Sequence, residues 1–154
     1  WLLGEDVESV AATCAVLTDP EIGRLGDFDS VNVILQTASG RQAIITNSRR
    51  AAYGYDQRIE VLGSQGMVAA RNHHEADIDI AGAGGFPRPP LLNFFMTRYT
   101  AAYANEIAAF VAAVAEGAAT PTTGHDGMMA LALADAAVKS VDEGRLVKLA
   151  EVLD

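Results

Sequence analysis

Two phenols and two guanidinium groups sit on one short connector: Arg49, Arg50, Tyr53 and Tyr55, within nine residues of Asn47. Such groups are costly to bury without partners, and together they suit a polar, hydroxyl-bearing ligand. A phenol offers an apolar body and a hydroxyl that seeks a partner, which matches a ring carrying many hydroxyls. Tyr53, on the connector rather than in a strand, is the strongest of these candidates, against the plainer reading of a packing residue. Tyr103 lies later, on the apolar stripe of a helix, and a core role competes evenly with ligand contact there. For Arg49 and Arg50 a surface charge pair or an inter-subunit salt bridge is preferred over substrate contact.

The remaining chemistry-bearing residues read as structural. His73, His74, Glu75 and Asp77 superficially resemble a metal cluster. Adjacent side chains on an extended chain take opposite faces, so the two imidazoles do not converge on one ion, and a solvated turn is expected. His125 lies at a helix start, where a capping neighbour is favoured over a general base. Neither a Ser-His-Asp arrangement nor a phosphate-binding loop can be read. Gly82-Ala83-Gly84-Gly85 has neither the preceding buried strand nor the following helix that a dinucleotide turn needs. Neither a metal site nor a dinucleotide turn is therefore expected within this chain.

The elements that position the connector follow from hydrophobic period. Val7–Leu17, Ser30–Thr37, Arg41–Ser48, Tyr55–Leu62 and Met67–Arg71 read as strands. The last four are expected to form one antiparallel meander with short turns. Along Tyr55–Leu62 the pleat puts Asp56, Arg58 and Glu60 on one face as a charge ladder, and Gly63 and Gly66 bracket the next reversal. Asp19–Gly23 is turn material, Leu25–Asp29 a polar connector, Asp77–Ile80 an expected edge strand and Ala81–Pro90 an irregular loop. Tyr99, Tyr103, Ile107, Phe110, Val111 and Val114 make one helical stripe between Arg98 and Glu116, stopped by Gly117. Thr123 and Asp126 form a capping box for a second, Ala-rich helix from about Gly127 to Glu143, stopped by Gly144; its small residues allow close approach to a sheet or another helix. Leu146–Leu149 is a short terminal strand. Strands followed by helices indicate an α+β fold: an open, predominantly antiparallel sheet with helices packed on one face.

Composition bounds the function. Residues 1–154 are expected to form a single domain, long enough to bury roughly 70% of its unfolded surface. Eleven Lys and Arg stand against 20 Asp and Glu, a net charge of −9, which disfavours nucleic acid as a partner. Cys14 stands alone among apolar neighbours, which suits a packed thiol and a cytoplasmic setting. No apolar run reaches membrane-spanning length. Trp1-Leu2-Leu3-Gly4 reads as the last turn of a helix that begins outside this chain, so a longer protein is expected.

The stretch from Asn47 to Met67, with Tyr53-Gly54-Tyr55-Asp56-Gln57-Arg58 and the Gly63-Ser64-Gln65-Gly66 turn at its centre, resembles the C-terminal domain of myo-inositol 2-dehydrogenases. These belong to the glucose–fructose oxidoreductase/inositol dehydrogenase (Gfo/Idh/MocA) superfamily. The resemblance extends through Arg98–Glu106, Thr123–Gly127, Ala134–Ser140 and the opening Trp1–Gly4, and is weakest from Asn72 to Leu92. It implies a glyceraldehyde-3-phosphate-dehydrogenase-like C-terminal domain that binds substrate and builds the oligomer, with an N-terminal Rossmann domain for NAD or NADP outside this chain. It implies that Tyr53 and Tyr103 reach a cyclitol or sugar substrate, and that the catalytic lysine, aspartate and histidine lie upstream. The isolated chain is then inert, and copies pair as a homodimer or homotetramer through the open sheet face. A member acting on another sugar, and a non-catalytic module that mediates assembly, remain as alternatives.

Overall fold

A computed structural model describes residues 1–153, and these divide into two compact units, 1–50 with 122–153, and 51–121.

The first unit is a four-stranded antiparallel sheet with one helix on it. Strands β1 (Val7–Ala15), β2 (Ser30–Thr37) and β3 (Gln42–Ser48) lie in the order β3-β2-β1, and a two-residue strand (Val147–Lys148) adds to the free edge of β1. Register follows the alternation of the sequence. Val10 pairs with Leu35, Ala12 with Val33, Val33 with Ile45 and Leu35 with Ala43, which gathers these side chains on one face. On that face lies α4 (Gly124–Glu143), whose Ala132, Ala136 and Ser140 are buried at helical spacing. Small side chains let the helix backbone approach Val10, Val33, Leu35, Val147 and Leu149, and Ala136 and Val10 are wholly inaccessible. Ser140 ties helix to strand by a hydrogen bond: its Oγ accepts the Ala12 N–H at 2.9 Å and donates to the Arg145 carbonyl at 2.6 Å. The Thr123–Asp126 capping box is present, and α4 starts three residues before the expected Gly127 and ends on Gly144 at φ +63°.

Asp29, expected only as part of a polar connector, is buried and closes the β1–β2 connection. Its carboxylate accepts the N–H groups of Leu17, Thr18 and Asp19 at 2.7–2.9 Å and the hydroxyls of Thr18 and Ser30. These bonds, the Leu17 amide first, hold it well below the usual carboxylate range. Inside that connection Asp19–Gly23, expected as a turn, forms a short helix α1 (Pro20–Arg24), because Asp19 caps the Glu21 amide and Pro20 is suited to a first helical turn. Cys14 is half-buried, and burial pushes its thiol up, as befits a packed thiol.

The second unit holds a two-stranded hairpin, β4 (Ile59–Gly63) with β5 (Gly66–Ala70), two helices α2 (Phe95–Arg98) and α3 (Thr100–Glu116), and long connections. The expected single meander is thus two separate antiparallel sheets, while the α+β class holds. Strand β4 starts at Ile59 and not at Tyr55, because the backbone donors before it are taken elsewhere: Tyr55 N–H by the Leu92 carbonyl at 2.9 Å and Gln57 N–H by Asn72 Oδ1 at 2.7 Å. The expected edge strand Asp77–Ile80 does not form. Alternation is a property of side chains, whereas a strand needs a neighbour; here the chain pairs earlier, at His74 opposite Leu91. Helix α3 runs to Gly117, at φ +64°, as expected, yet only its Ala113 is buried and the Ile107, Phe110, Val111 and Val114 stripe stays exposed.

Candidate functional site

The Tyr53 connector is shaped by one glycine. Gly54 has φ +127°, and a Cβ there would stand 2.7 Å from Leu91 Cβ, so both conformation and space demand glycine. The close approach lets Tyr55 N–H reach Leu92, and Leu91 and Leu92 are themselves held by Leu92 N–H to His73 and Glu75 N–H to Pro90, at 3.0 and 2.9 Å. Two connections of different sequence origin are thereby held at the foot of Tyr53.

Tyr53 is 62% exposed, and its hydroxyl donates to Asp56 Oδ2. Asp56 also accepts from Arg58, Nε at 2.8 Å and Nη2 at 3.0 Å, and from Asn72 Nδ2 at 2.7 Å. A two-pronged guanidinium contact fixes geometry as well as charge. These hydrogen bonds, that of Tyr53 foremost, hold Asp56 down to about 2, and the same carboxylate pushes the Tyr53 phenol up. At neutral pH the pair is therefore carboxylate and intact phenol, suited to binding and orientation; neither is poised to exchange a proton.

A second cluster is aromatic. The Tyr55 ring meets Tyr99 edge-on with centroids 5.7 Å apart, and Tyr99 meets Tyr103 in the same way at 6.2 Å. The Tyr55 and Tyr99 hydroxyls are 3.4 Å apart, and this contact is the main cause of the raised Tyr99 phenol. The Arg98 guanidinium lies 5.8 Å from the Tyr99 centroid. Tyr103 projects from α3 and is 45% exposed. Of the two tyrosines singled out from sequence, Tyr103 thus belongs to this ring series and Tyr53 to the Asp56 group. Arg49 and Arg50 are exposed, without a side-chain ion pair among the described residues.

Sequence reasoning missed three members: Asp56 and Asn72 as the scaffold of Tyr53, and Tyr99 as the ring that joins Tyr55 to Tyr103. The Asp56–Arg58 spacing carried part of the signal, since the two were placed on one face. Asn72 lies 16 residues from Asp56 and had none. His74 engages the Pro89 carbonyl through Nδ1 at 2.6 Å, and His125 is exposed in the first turn of α4. Among the described residues no group of three or more His, Cys, Asp or Glu is arranged to hold a metal. The glycine-rich loop does not fit a dinucleotide: Gly82 and Gly85 bond each other across a tight turn and open no helix. No helix among the described residues is long and apolar enough to cross a membrane.

The fold is that of an oxidoreductase C-terminal domain, and comparison with known proteins places the chain: residues 1–149 match the oxidoreductase family, C-terminal alpha/beta domain, and the chain belongs to the Gfo/Idh/MocA family. It is 63% identical over 150 residues to an inositol 2-dehydrogenase of Rhizobium meliloti, covering 97% of this chain and 46% of that protein. It is 45% identical to a myo-inositol 2-dehydrogenase of Thermotoga maritima, covering 99% and 46%. A scyllo-inositol 2-dehydrogenase (NAD(+)) of Bacillus subtilis is 29% identical, covering 97% and 43%. The crystal structure of a myo-inositol dehydrogenase from Corynebacterium glutamicum superposes with a TM-score of 0.89 at 39% identity, covering 94% of this chain and 44% of that one. The chain therefore spans a little under half the length of the relatives it matches.

Proposed function

We propose that this chain is the C-terminal, substrate-binding and oligomer-building half of an NAD-dependent inositol 2-dehydrogenase. The observation that carries the reading is the 63% identity to an inositol 2-dehydrogenase across nearly the whole chain. NAD as the cofactor follows the relative whose name includes it, and is preferred here to NADP. The chemistry that NAD would supply to the full-length protein is acceptance of hydride from a ring carbinol carbon. This chain's residues do not fit that cofactor, so its contribution is to hold the polyol: Tyr53 and Tyr103 present exposed phenols to hydroxyl groups. As an isolated piece the chain is inert, and the cytoplasm is its setting.

The direct test is Tyr53→Phe in the full-length enzyme. Removing the phenol's hydrogen bond to substrate at constant volume is expected to cost ~0.5–1.5 kcal/mol, a several-fold loss in kcat/KM for myo-inositol, while loss of the exposed Tyr53–Asp56 bond lowers the melting temperature only slightly. Intact kinetics with a lowered melting temperature would instead make Tyr53 a packing residue.

Assembly rests on the sheet face opposite α4. Ala11, Ile34 and Ile44 form a row across β1, β2 and β3, and Ile34 and Ile44 are 48% and 74% exposed. Two copies pairing through this face bury that row. Sedimentation of the full-length protein at micromolar concentration is expected to give a dimer or tetramer; a clean monomer overturns the pairing.

A further inference from the structure

Every lone pair of the Asp56 carboxylate is in use, and the direction of each bond is dictated by chemistry. Oδ1 accepts Arg58 Nε and Asn72 Nδ2; Oδ2 accepts Arg58 Nη2 and the Tyr53 hydroxyl. Guanidinium nitrogens only donate. The Asn72 amide is oriented by the Gln57 N–H, which donates to its Oδ1 and so turns its NH2 toward Asp56. Against an ionised carboxylate so supplied with donors, Tyr53 must be the donor of its own bond. A phenol carries one proton and two lone pairs. With that proton committed, the exposed Tyr53 oxygen has only acceptor capacity left for a ligand.

We propose that Asp56 is a positioning residue that makes Tyr53 a one-way hydrogen-bond acceptor, so that the site reads a cyclitol hydroxyl by its proton and rejects carbonyl, ether or fluorine at that ring position. Arg58 and Asn72 hold the carboxylate in place, and Gln57 holds Asn72. This rests on the reading that Tyr53 faces the substrate. It adds the polarity of that contact, which a phenol alone does not define. A hydroxyl and a fluorine are close in size, so the discrimination is electronic and not steric. A group left facing an acceptor with no proton to give loses the bond and leaves Tyr53 unpaired.

The test compares myo-inositol with its monodeoxy-monofluoro analogues as substrates of the full-length enzyme with NAD. Wild type is expected to lose about tenfold in kcat/KM, mostly through KM, for the analogue fluorinated at the position Tyr53 touches. In Tyr53→Phe that penalty disappears. In Asp56→Asn the amide oxygen takes the Oδ1 place and keeps Arg58 Nε and Asn72 Nδ2, the Arg58 Nη2 contact is given up, and the new NH2 group donates to Tyr53; the phenol proton is released, and the penalty falls below about twofold. Asp56→Asn added to Tyr53→Phe is expected to change kcat/KM no further, since Asp56 acts through Tyr53. The proposal is overturned if no wild-type fluorine penalty is lost on Tyr53→Phe, a result independent of how Asp56→Asn folds. It is also overturned if Asp56→Asn keeps the penalty or adds to Tyr53→Phe. A full-length enzyme that does not oxidise inositol at all, or a kinetically silent Tyr53→Phe, removes the underlying reading of the site and is distinguishable from these results.

Discussion

The two units are held together by different means. In the first, Val10, Val33, Leu35, Ala132, Ala136, Val147 and Leu149 form a core closed by a helix of small residues. In the second, Ala113 is the one buried hydrophobic residue, and Phe86, Phe94, Ile107 and Phe110 are more than half exposed. Order there comes from hydrogen bonds between connections, from edge-on rings and from one glycine in close contact. Burial stabilises without regard to direction, whereas hydrogen bonds and ring edges specify orientation. The unit proposed to place hydroxyl groups against a ligand is the one built from directional contacts. Changes in the first unit should therefore surface as global stability, and changes in the second as altered handling of substrate.

The largest effect that would sharpen this contrast is Ala136→Leu. Three added carbons at a wholly inaccessible position force helix and sheet apart, and overpacking of this kind costs about 3 kcal/mol at its upper range. For a chain of this size that lowers the melting temperature by roughly 10 °C. Hydrogen exchange should show lost protection throughout β1 and β2. If the melting temperature stays unchanged, α4 does not close the core in the way described.

Gly54→Ala is expected to act more locally. A side chain at φ +127° is strained, and its Cβ meets Leu91, so a cost of about 1–3 kcal/mol falls on the Tyr53 connector. Exchange should accelerate at Tyr55 and Leu92, with the β1–β2 amides unaffected and KM for inositol raised in the full-length enzyme. Loss of protection in the first unit would break the contrast between the two.

The smallest effect under ordinary conditions is that of pH. Asp56 is depressed to about 2, and Asp29, Glu151, Asp126 and Glu5 are also lowered, each chiefly by a hydrogen bond: from Tyr53, the Leu17 amide, Arg145, Thr123 and Ser39 respectively. Folded values below the unfolded ones give stability that is present above about pH 4 and lost as pH falls further. Melting temperature should hold between pH 5 and 7 as far as these groups are concerned, then drop progressively from pH 4 to pH 2. Asp29→Asn should lower the plateau and flatten the drop. A melting temperature that is constant from pH 5 to pH 2 contradicts the native hydrogen bonds assigned to these carboxylates.

Legibility in sequence follows the same division. Ser30–Thr37 was readable to the residue, and both long helices were readable with their glycine stops, because period and capping are local signals. The separation of β4 and β5 from the larger sheet was not readable. Alternation shows that a segment can be a strand and leaves its neighbour undefined, and here Leu92 and Asn72 take the donors that a meander would use. Asp77–Ile80 failed for the same reason. At the candidate site, Tyr53 and Tyr103 were legible as candidates from type, place and family resemblance. Asn72 and the Tyr55–Tyr99 contact join residues 15 and 44 positions apart or more, through connections whose sequence has no period. Asp29 was overlooked because three amides turning around one carboxylate leave no mark on composition.

That last residue has a practical consequence for anyone building on this domain. Because Asp29 ties the start of the β1–β2 excursion to its end, the fourteen residues from Val16 to Asp29 behave as a clipped side loop whose tip can change without altering the register of the strands. Gly26 and Asp27 at that tip are exposed, and no side chain crowds Gly26. A fluorophore, an epitope or a permuted terminus placed between them enters where the chain is already closed upon itself, far in sequence from the tyrosines of the candidate site.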